Sequence, residues 1–160
     1  MHRFALFAFL ACATLTFGAF AQEPTPEVPK LVTVEDYART MKELRALDGE
    51  LRNNIEEVAR ADLERMLLFD ATMNARKQAA RMEELLGAVA TFWDTKKDRN
   101  AVSLARDAVM EAANISKALA VIDLESPSVA TVAQMRLDKI CASCHATHRE
   151  QLPDGSYRIK

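Results

Sequence analysis

The sequence predicts an all-α protein, an antiparallel four-helix bundle in the order up-down-up-down. Between Thr33 and Leu152 it holds a single proline, Pro127, and two glycines. The same stretch is rich in Ala, Leu, Met, Glu, Lys and Arg, which are strong helix formers. It lacks the alternation of β-branched and aromatic residues that is typical of strands. With 160 residues, one domain is expected, and four helices joined by short links pack with the first beside the last.

The residues before the helical region are expected to direct export. A basic start at Arg3 precedes the apolar run FALFAFLACATLTFGAF, and Ala19 and Ala21 are the small residues that a signal peptidase reads. The run is slightly short of the roughly 20 apolar residues that span a bilayer, which disfavours a membrane anchor. We therefore interpret residues 1–21 as a secretory signal peptide, with no membrane span after cleavage. Residues 22–32 form a proline-rich leader, 33–152 the bundle and 153–160 a C-terminal tail.

A heptad pattern predicts the first helix, and a further series of apolar residues predicts the second. Apolar residues of the first recur at spacings of three and four, at Val34, Tyr37, Met41, Leu44, Leu51, Ile55 and Val58. Asp48 breaks this series, either as a buried polar partner or as the mark of a frayed region. The second helix is expected to begin near Asp62, after a link near 57–61. Its apolar residues are Leu63, Met66, Leu67, Met73, Met82, Leu85, Leu86, Val89 and Trp93.

The segment DTKKDRN separates the second helix from the third, whose apolar residues are Val102, Ala105, Val109, Ala112, Leu119 and Ile122. In the fourth helix, Ser126 suits the N-cap and Pro127 the first helical position. Its predicted apolar residues are Val129, Val132, Ile140 and Cys144, and Pro153-Asp154-Gly155 is expected to end it. This winding brings the end of the fourth helix, the start of the first, and Phe92 and Trp93 to one end of the bundle.

Every cysteine and histidine outside the signal peptide lies in one short stretch, which reads CASCHATH. A structural zinc site would need all four ligands, Cys141, Cys144, His145 and His148, from one short helix, which is an awkward source of tetrahedral geometry. A thioredoxin-like dithiol is expected beside a βαβ unit, and no strand is predicted. A disulfide across two residues closes too small a loop to stabilise much.

Haem attachment suits the motif better. Thiols at Cys141 and Cys144 share one helix face, so each can add to a vinyl group of the same porphyrin. His145 can then place an imidazole nitrogen on the iron, and C-x-x-C-H is the sequence pattern of c-type haem attachment. The export signal agrees, because such attachment generally takes place outside the bacterial cytoplasm. We therefore predict one covalently bound haem c.

An exported four-helix bundle with CxxCH on its last helix resembles the class II c-type cytochromes, the cytochrome c prime family and its low-spin relatives. The family's motif continues as CxxCHxx(Tyr/Phe)R. Cys141, Cys144, His145 and Arg149 match it, whereas His148 replaces the aromatic residue. The segment YARTMKEL in the first helix is similar to the one that covers the distal haem face in that family. The resemblance implies that Arg149 lies near a haem propionate or the imidazole, and we expect His148 at the haem edge or the surface.

The sixth iron position decides the chemistry, and Met41 is the candidate. His145 lies about five residues before the predicted end of its helix, and the equivalent depth on the first helix falls near Met41. Five other methionines follow the signal peptide: Met66, Met73, Met82, Met110 and Met135. From depth and pattern alone, Met41 is better interpreted as a core residue that fills a gap. The resemblance favours ligation, and an axial methionine raises the reduction potential.

The sequence thus predicts a periplasmic monohaem cytochrome that carries single electrons between redox partner proteins. The alternative is a five-coordinate, high-spin protein that binds nitric oxide or carbon monoxide, and a third class is a helical structural module with an incidental CxxC. No nucleophile–base pair suggests an enzyme. The net charge of −2, without a basic block, argues against nucleic acid. Members of the resembling family include dimers, so a homodimer stays open.

Overall fold

The computed structural model describes residues 27–60, 65–120, 126–154 and 157–160. Four helices make up most of this part of the chain: α1 (Val34–Arg60), α2 (Arg65–Thr95), α3 (Arg99–Ala118) and α4 (Ser126–His148). Consecutive helices pack against each other, and α4 also contacts α1. The predicted all-α four-helix bundle is therefore confirmed. Among the described residues, no helix combines the length and the apolar character that crossing a membrane requires.

Several sequence expectations lie outside the described residues: the signal peptide (1–21), residues 22–26 of the leader, the start of the second helix near Asp62, and Ile122. The predicted link near 57–61 is partly wrong, because α1 continues to Arg60.

The start of α1 is fixed by a reciprocal pair of hydrogen bonds. The backbone N–H of Asp36 donates to the Thr33 hydroxyl at 3.1 Å, and the backbone N–H of Thr33 donates to the Asp36 carboxylate at 3.1 Å. This capping box satisfies amides that have no partner inside the helix. Most of the predicted stripe of α1 is buried, but Val34 is 49% exposed and Met41 is only partly buried.

The connection between α2 and α3 forms where the sequence predicts it. Lys97 adopts a positive φ of 58° in the turn that follows α2. Asp98 then caps α3, because its carboxylate accepts a hydrogen bond from the Ala101 amide at 3.0 Å. This tight turn brings the aromatic end of α2 beside the start of α3.

The buried face of α4 differs from the predicted one. Val129 and Val132 are 54% and 47% exposed, so their assignment to the core was wrong. The buried side chains are those of Ser126, Ala130, Ala133, Gln134 and Leu137. Small alanines allow close helix packing but add little to an apolar pattern, so the two valines dominated the sequence signal. The true stripe continues at heptad spacing to the two cysteines of the motif.

The chain after α4 was also predicted incorrectly. The helix ends at His148, and a two-stranded antiparallel hairpin follows, formed by β1 (Arg149–Gln151) and β2 (Tyr157–Ile159). Pro153 disfavours helical geometry at the residue before it, and the β-branched and aromatic residues of β2 favour a strand. Ile159 packs against the core, and the Lys160 amide donates to the His148 carbonyl at 3.0 Å. The predicted tail is therefore a folded cover on the end of α4.

Candidate functional site

Four rings meet at the end of the bundle that carries the cysteine motif. Tyr37 of α1 lies 4.8 Å from Phe92 and 5.8 Å from Trp93, measured between ring centroids. The His148 ring lies 5.2 Å from that of Trp93. Phe92 and Trp93 are almost fully buried, at 2% and 3% exposure. The expectation that both residues lie in the core beside the motif is confirmed, and together they form an apolar wall.

Both cysteines are free thiols that are only partly buried. Burial raises the pKa of Cys141 to about 12, and Asp48, Cys144 and Asp138 act in the same direction. Burial also raises the pKa of Cys144, with the Asp98 carboxylate as the second cause. Both groups are therefore neutral thiols at physiological pH. Reactive thiolates instead lie in electropositive surroundings that lower the thiol pKa.

His145 follows Cys144 on α4 and is also partly buried. Burial lowers the pKa of His145, and the positive charge of Arg149 lowers it further. The imidazole is therefore uncharged at neutral pH. An uncharged ring has a nitrogen lone pair free to bind a metal ion.

Electrostatic contacts at two depths define how α1 runs along α4. Near the start of α1, the pKa of the Tyr37 hydroxyl responds to the charges of Cys144, Cys141 and Arg149, so these groups lie near it. Further along α1, Asp48 accepts a hydrogen bond from Gln134, which lies earlier in α4. Later residues of α1 thus face earlier residues of α4, as antiparallel neighbours do.

Met41 lies one turn after Tyr37 and two turns before Asp48, so it shares the depth of the segment from Cys141 to His145. Its partly buried side chain packs against the core.

Among the described residues, α1 and α4 have fewer contacts with each other than any other pair of neighbouring helices. In particular, α1 packs far more extensively against α2. Along this α1–α4 seam, Met41, Cys141, Cys144 and His145 are all only partly buried. The residues that the sequence predicts as haem contacts therefore lie where the bundle is least tightly closed.

A polar group that the sequence did not predict bridges the seam beyond the cysteines. Arg52 binds both oxygens of Asp138 at 3.0 Å and one oxygen of Asp48 at 3.2 Å. The buried Gln134 amide donates to Asp48 at 2.6 Å. We name these four residues the Asp48 cluster. Asp48 lies within the helix as a polar partner, as one of the two interpretations has it, but its side chain is 34% exposed and therefore only partly buried. The sequence shows the i, i+4 spacing of the polar residues within each helix. It does not show that these two polar pairs face each other across the helices.

Arg149 lies in β1 and not on the helix, where its spacing from His145 had placed it. Its guanidinium stacks on the Tyr157 ring, with 3.9 Å between the guanidinium carbon and the ring centroid. His148 is also held in place, because its Nε2 lies 2.9 Å from the Asn100 side-chain oxygen and its Nδ1 lies 3.3 Å from Asp98. With a side chain only 11% exposed, His148 is not a surface residue. It packs on Trp93 as an aromatic ring would.

No protein-family model, curated protein or solved structure matches this chain. Within the described ranges, no three side chains of the His, Cys, Asp or Glu type converge closely enough to hold a metal ion.

Proposed function

We propose that this protein is a periplasmic c-type cytochrome that carries one electron at a time between redox partner proteins. One haem would be attached through Cys141 and Cys144, and His145 would bind its iron. The observation that carries the proposal is the combination of two free, neutral thiols one turn apart with an adjacent uncharged imidazole, all on the loosely packed seam between α1 and α4.

The chemistry of the surrounding residues fits such a group. Addition of a thiol across a vinyl bond forms one carbon–sulfur bond and moves the thiol hydrogen to carbon, so both cysteines enter the reaction unpaired, as they are here. Phe92 and Trp93 provide an apolar wall for a flat macrocycle. The buried Trp93 indole N–H has no hydrogen-bond partner of good geometry, although the Tyr37 hydroxyl lies nearby. A polar edge of a bound group would supply the missing acceptor.

When bound, the haem supplies a redox-active iron, and the chain tunes it through ligands, burial and charge. His145 would supply an imidazole ligand to the iron. Met41, at the same depth across the seam, would supply a thioether ligand, which favours electron transfer over gas binding. Phe92 and Trp93 would keep water away from the macrocycle.

A five-coordinate protein that binds nitric oxide or carbon monoxide is the second candidate. It is favoured by the contacts of Met41 with the core, because a methionine that keeps those contacts shields the iron without binding it. The same attachment residues, Cys141, Cys144 and His145, serve both functions. The two candidates therefore differ only in the sixth position.

Optical spectra of the protein, matured with a haem-attachment system, test the proposal. We expect haem that stays bound after denaturation and is lost in the Cys141→Ser/Cys144→Ser variant. A low-spin spectrum unchanged by carbon monoxide, with a methionine-to-iron band that disappears in Met41→Ala, supports the electron carrier. Met110→Ala is the matched control, because Met110 is 57% exposed on α3. A high-spin spectrum that shifts with carbon monoxide selects the gas-binding function, and absence of covalent haem overturns both.

A further inference from the structure

The C-terminal hairpin places a stacked cation beside the candidate site. Arg149 pairs with Ile159 across the two strands, and Tyr157 lies two residues before Ile159, on the same face of the hairpin. Diagonal neighbours of this kind are within reach of long and aromatic side chains. The Arg149 guanidinium uses that reach to lie over the Tyr157 ring at 3.9 Å.

The Tyr157 ring has little other packing role. It is 51% exposed, whereas Ile159 packs against the core and anchors the hairpin. An unstacked arginine on a surface strand would sample many rotamers, and a planar ring beneath the guanidinium restricts that freedom. The stack therefore holds the positive charge of Arg149 in one place.

That place is next to the cysteine motif. Arg149 begins β1 directly after His148, four residues beyond His145, the last residue of the CxxCH pattern. Its charge acts on both His145 and the Tyr37 hydroxyl, which belong to the two helices that line the seam. A cation held here, four residues after His145, lies close enough for its charge to act on a group that His145 would bind.

We propose that Tyr157 is a positioning residue that holds the Arg149 cation beside His145 and thereby raises the reduction potential of the haem bound there. The inference rests on the proposed haem attachment. A nearby positive charge favours the reduced iron, which carries one positive charge fewer, and net charge around a redox centre is an established means of tuning its potential.

The hairpin also contains its own control. Arg158 carries the same charge two positions from the chain end, but it alternates with Tyr157 and Ile159 and so lies on the opposite face. Its guanidinium pairs with Glu150 at 2.8 Å. Arg158→Gln thus removes one cation from the same hairpin without disturbing the Arg149 stack.

The experiment is a redox titration of the haem-loaded protein at constant ionic strength. We expect Arg149→Gln to reduce the ferrous-to-ferric ratio at a fixed potential by roughly threefold, which corresponds to a potential lower by about 30 mV at 59 mV per tenfold. Tyr157→Ala should shift the potential in the same direction by a smaller amount. Tyr157→Phe keeps the ring and should match the unaltered protein, as should Arg158→Gln.

The double variant Arg149→Gln/Tyr157→Ala separates positioning from a general structural effect. If Tyr157 acts through Arg149, the double variant has the potential of Arg149→Gln alone, because the ring has no cation left to hold. Three results would overturn the inference: additive shifts in the double variant, a shift in Arg158→Gln as large as in Arg149→Gln, or an unchanged potential in Tyr157→Ala. The proposed function would survive each of them, provided that the spectrum still shows covalently bound haem. A wild-type protein without covalent haem overturns both.

Discussion

At the residue scale, burial determines what chemistry the cysteine pair offers. A thiol with a pKa raised to about 12, next to two carboxylates, is almost entirely protonated at neutral pH. Such a group is a poor nucleophile and a poor ligand for a free metal ion, both of which need the thiolate. The surroundings of Cys141 therefore slow the reactions that need a thiolate and keep the thiol protonated.

This state predicts slow alkylation of the haem-free protein. Because thiolate is the reactive form, iodoacetamide should modify folded Cys141 at pH 8 at least about tenfold more slowly than the same cysteine in the urea-unfolded chain. Rates followed by mass spectrometry in the Cys12→Ser/Cys144→Ser variant isolate this thiol. Equal rates in the folded and unfolded chains would contradict the prediction.

Burial of a second titratable group, the Tyr37 hydroxyl, predicts how folding stability depends on pH. Burial raises the pKa of Tyr37 from 10.0 to about 12, so the folded state favours the neutral phenol. The resulting stabilisation is fully present below pH 10 and is lost as the pH rises toward 12. Urea denaturation of the haem-free protein at several pH values should therefore show stability falling above pH 10, and falling less steeply in Tyr37→Phe. An identical decline in both proteins would refute the assignment to Tyr37.

At the element scale, one face of α4 packs against the neighbouring helices, and the opposite face is exposed. Leu137 is fully buried, whereas Val132 is 47% exposed on the same helix. Alanines at two of the buried positions bring α4 close to its neighbours, and the stripe then leads into the cysteines. The orientation of the site is thus set by residues that contribute little to an apolar pattern.

Two truncations on α4 test this face. Leu137→Ala should lower the free energy of unfolding by about 2–5 kcal/mol, because it leaves a cavity in the core. Val132→Ala should change it by less than about 0.5 kcal/mol, because the side chain already lies in water. Urea denaturation followed by circular dichroism measures both, and a larger loss in Val132→Ala would restore the valine face that the sequence suggested.

These elements also show how far the sequence reaches. Helix type, the α2–α3 turn and the trio Cys141, Cys144 and His145 follow from local composition and spacing, which the sequence displays directly. The hairpin does not, because three-residue strands depend on the tertiary contact of Ile159 and on the stack below Arg149. The Asp48 cluster was equally hidden, since it depends on the pairing of two helices far apart in the chain.

At the scale of the whole molecule, a cluster of charged and polar side chains bridges the sparse contact between α1 and α4. The Asp48 cluster bridges the described part of the seam beyond the cysteines, and its three charged members are partly exposed. Salt bridges that are this exposed each contribute little to the free energy of unfolding. The buried Gln134 amide changes this balance, because it loses its closest acceptor when Asp48 is removed.

Asp48→Ala should therefore lower the free energy of unfolding by about 1–2 kcal/mol. Glu56→Ala is the matched control, since Glu56 and Arg60 form an exposed i, i+4 pair on the same helix, and it should cost less than about 0.5 kcal/mol. Chemical denaturation of the haem-free proteins distinguishes them. Equal losses would mean that the cluster adds nothing beyond an ordinary surface pair.

The placement of the site across α1 and α4 has a consequence for how the protein is made. Met41 comes from α1, and His145 comes from α4, the last of the four described helices. A fragment that ends before α4 therefore lacks one side of the seam. Under the proposed function, haem can be attached only after α4 has been synthesised, and a shorter fragment stays colourless.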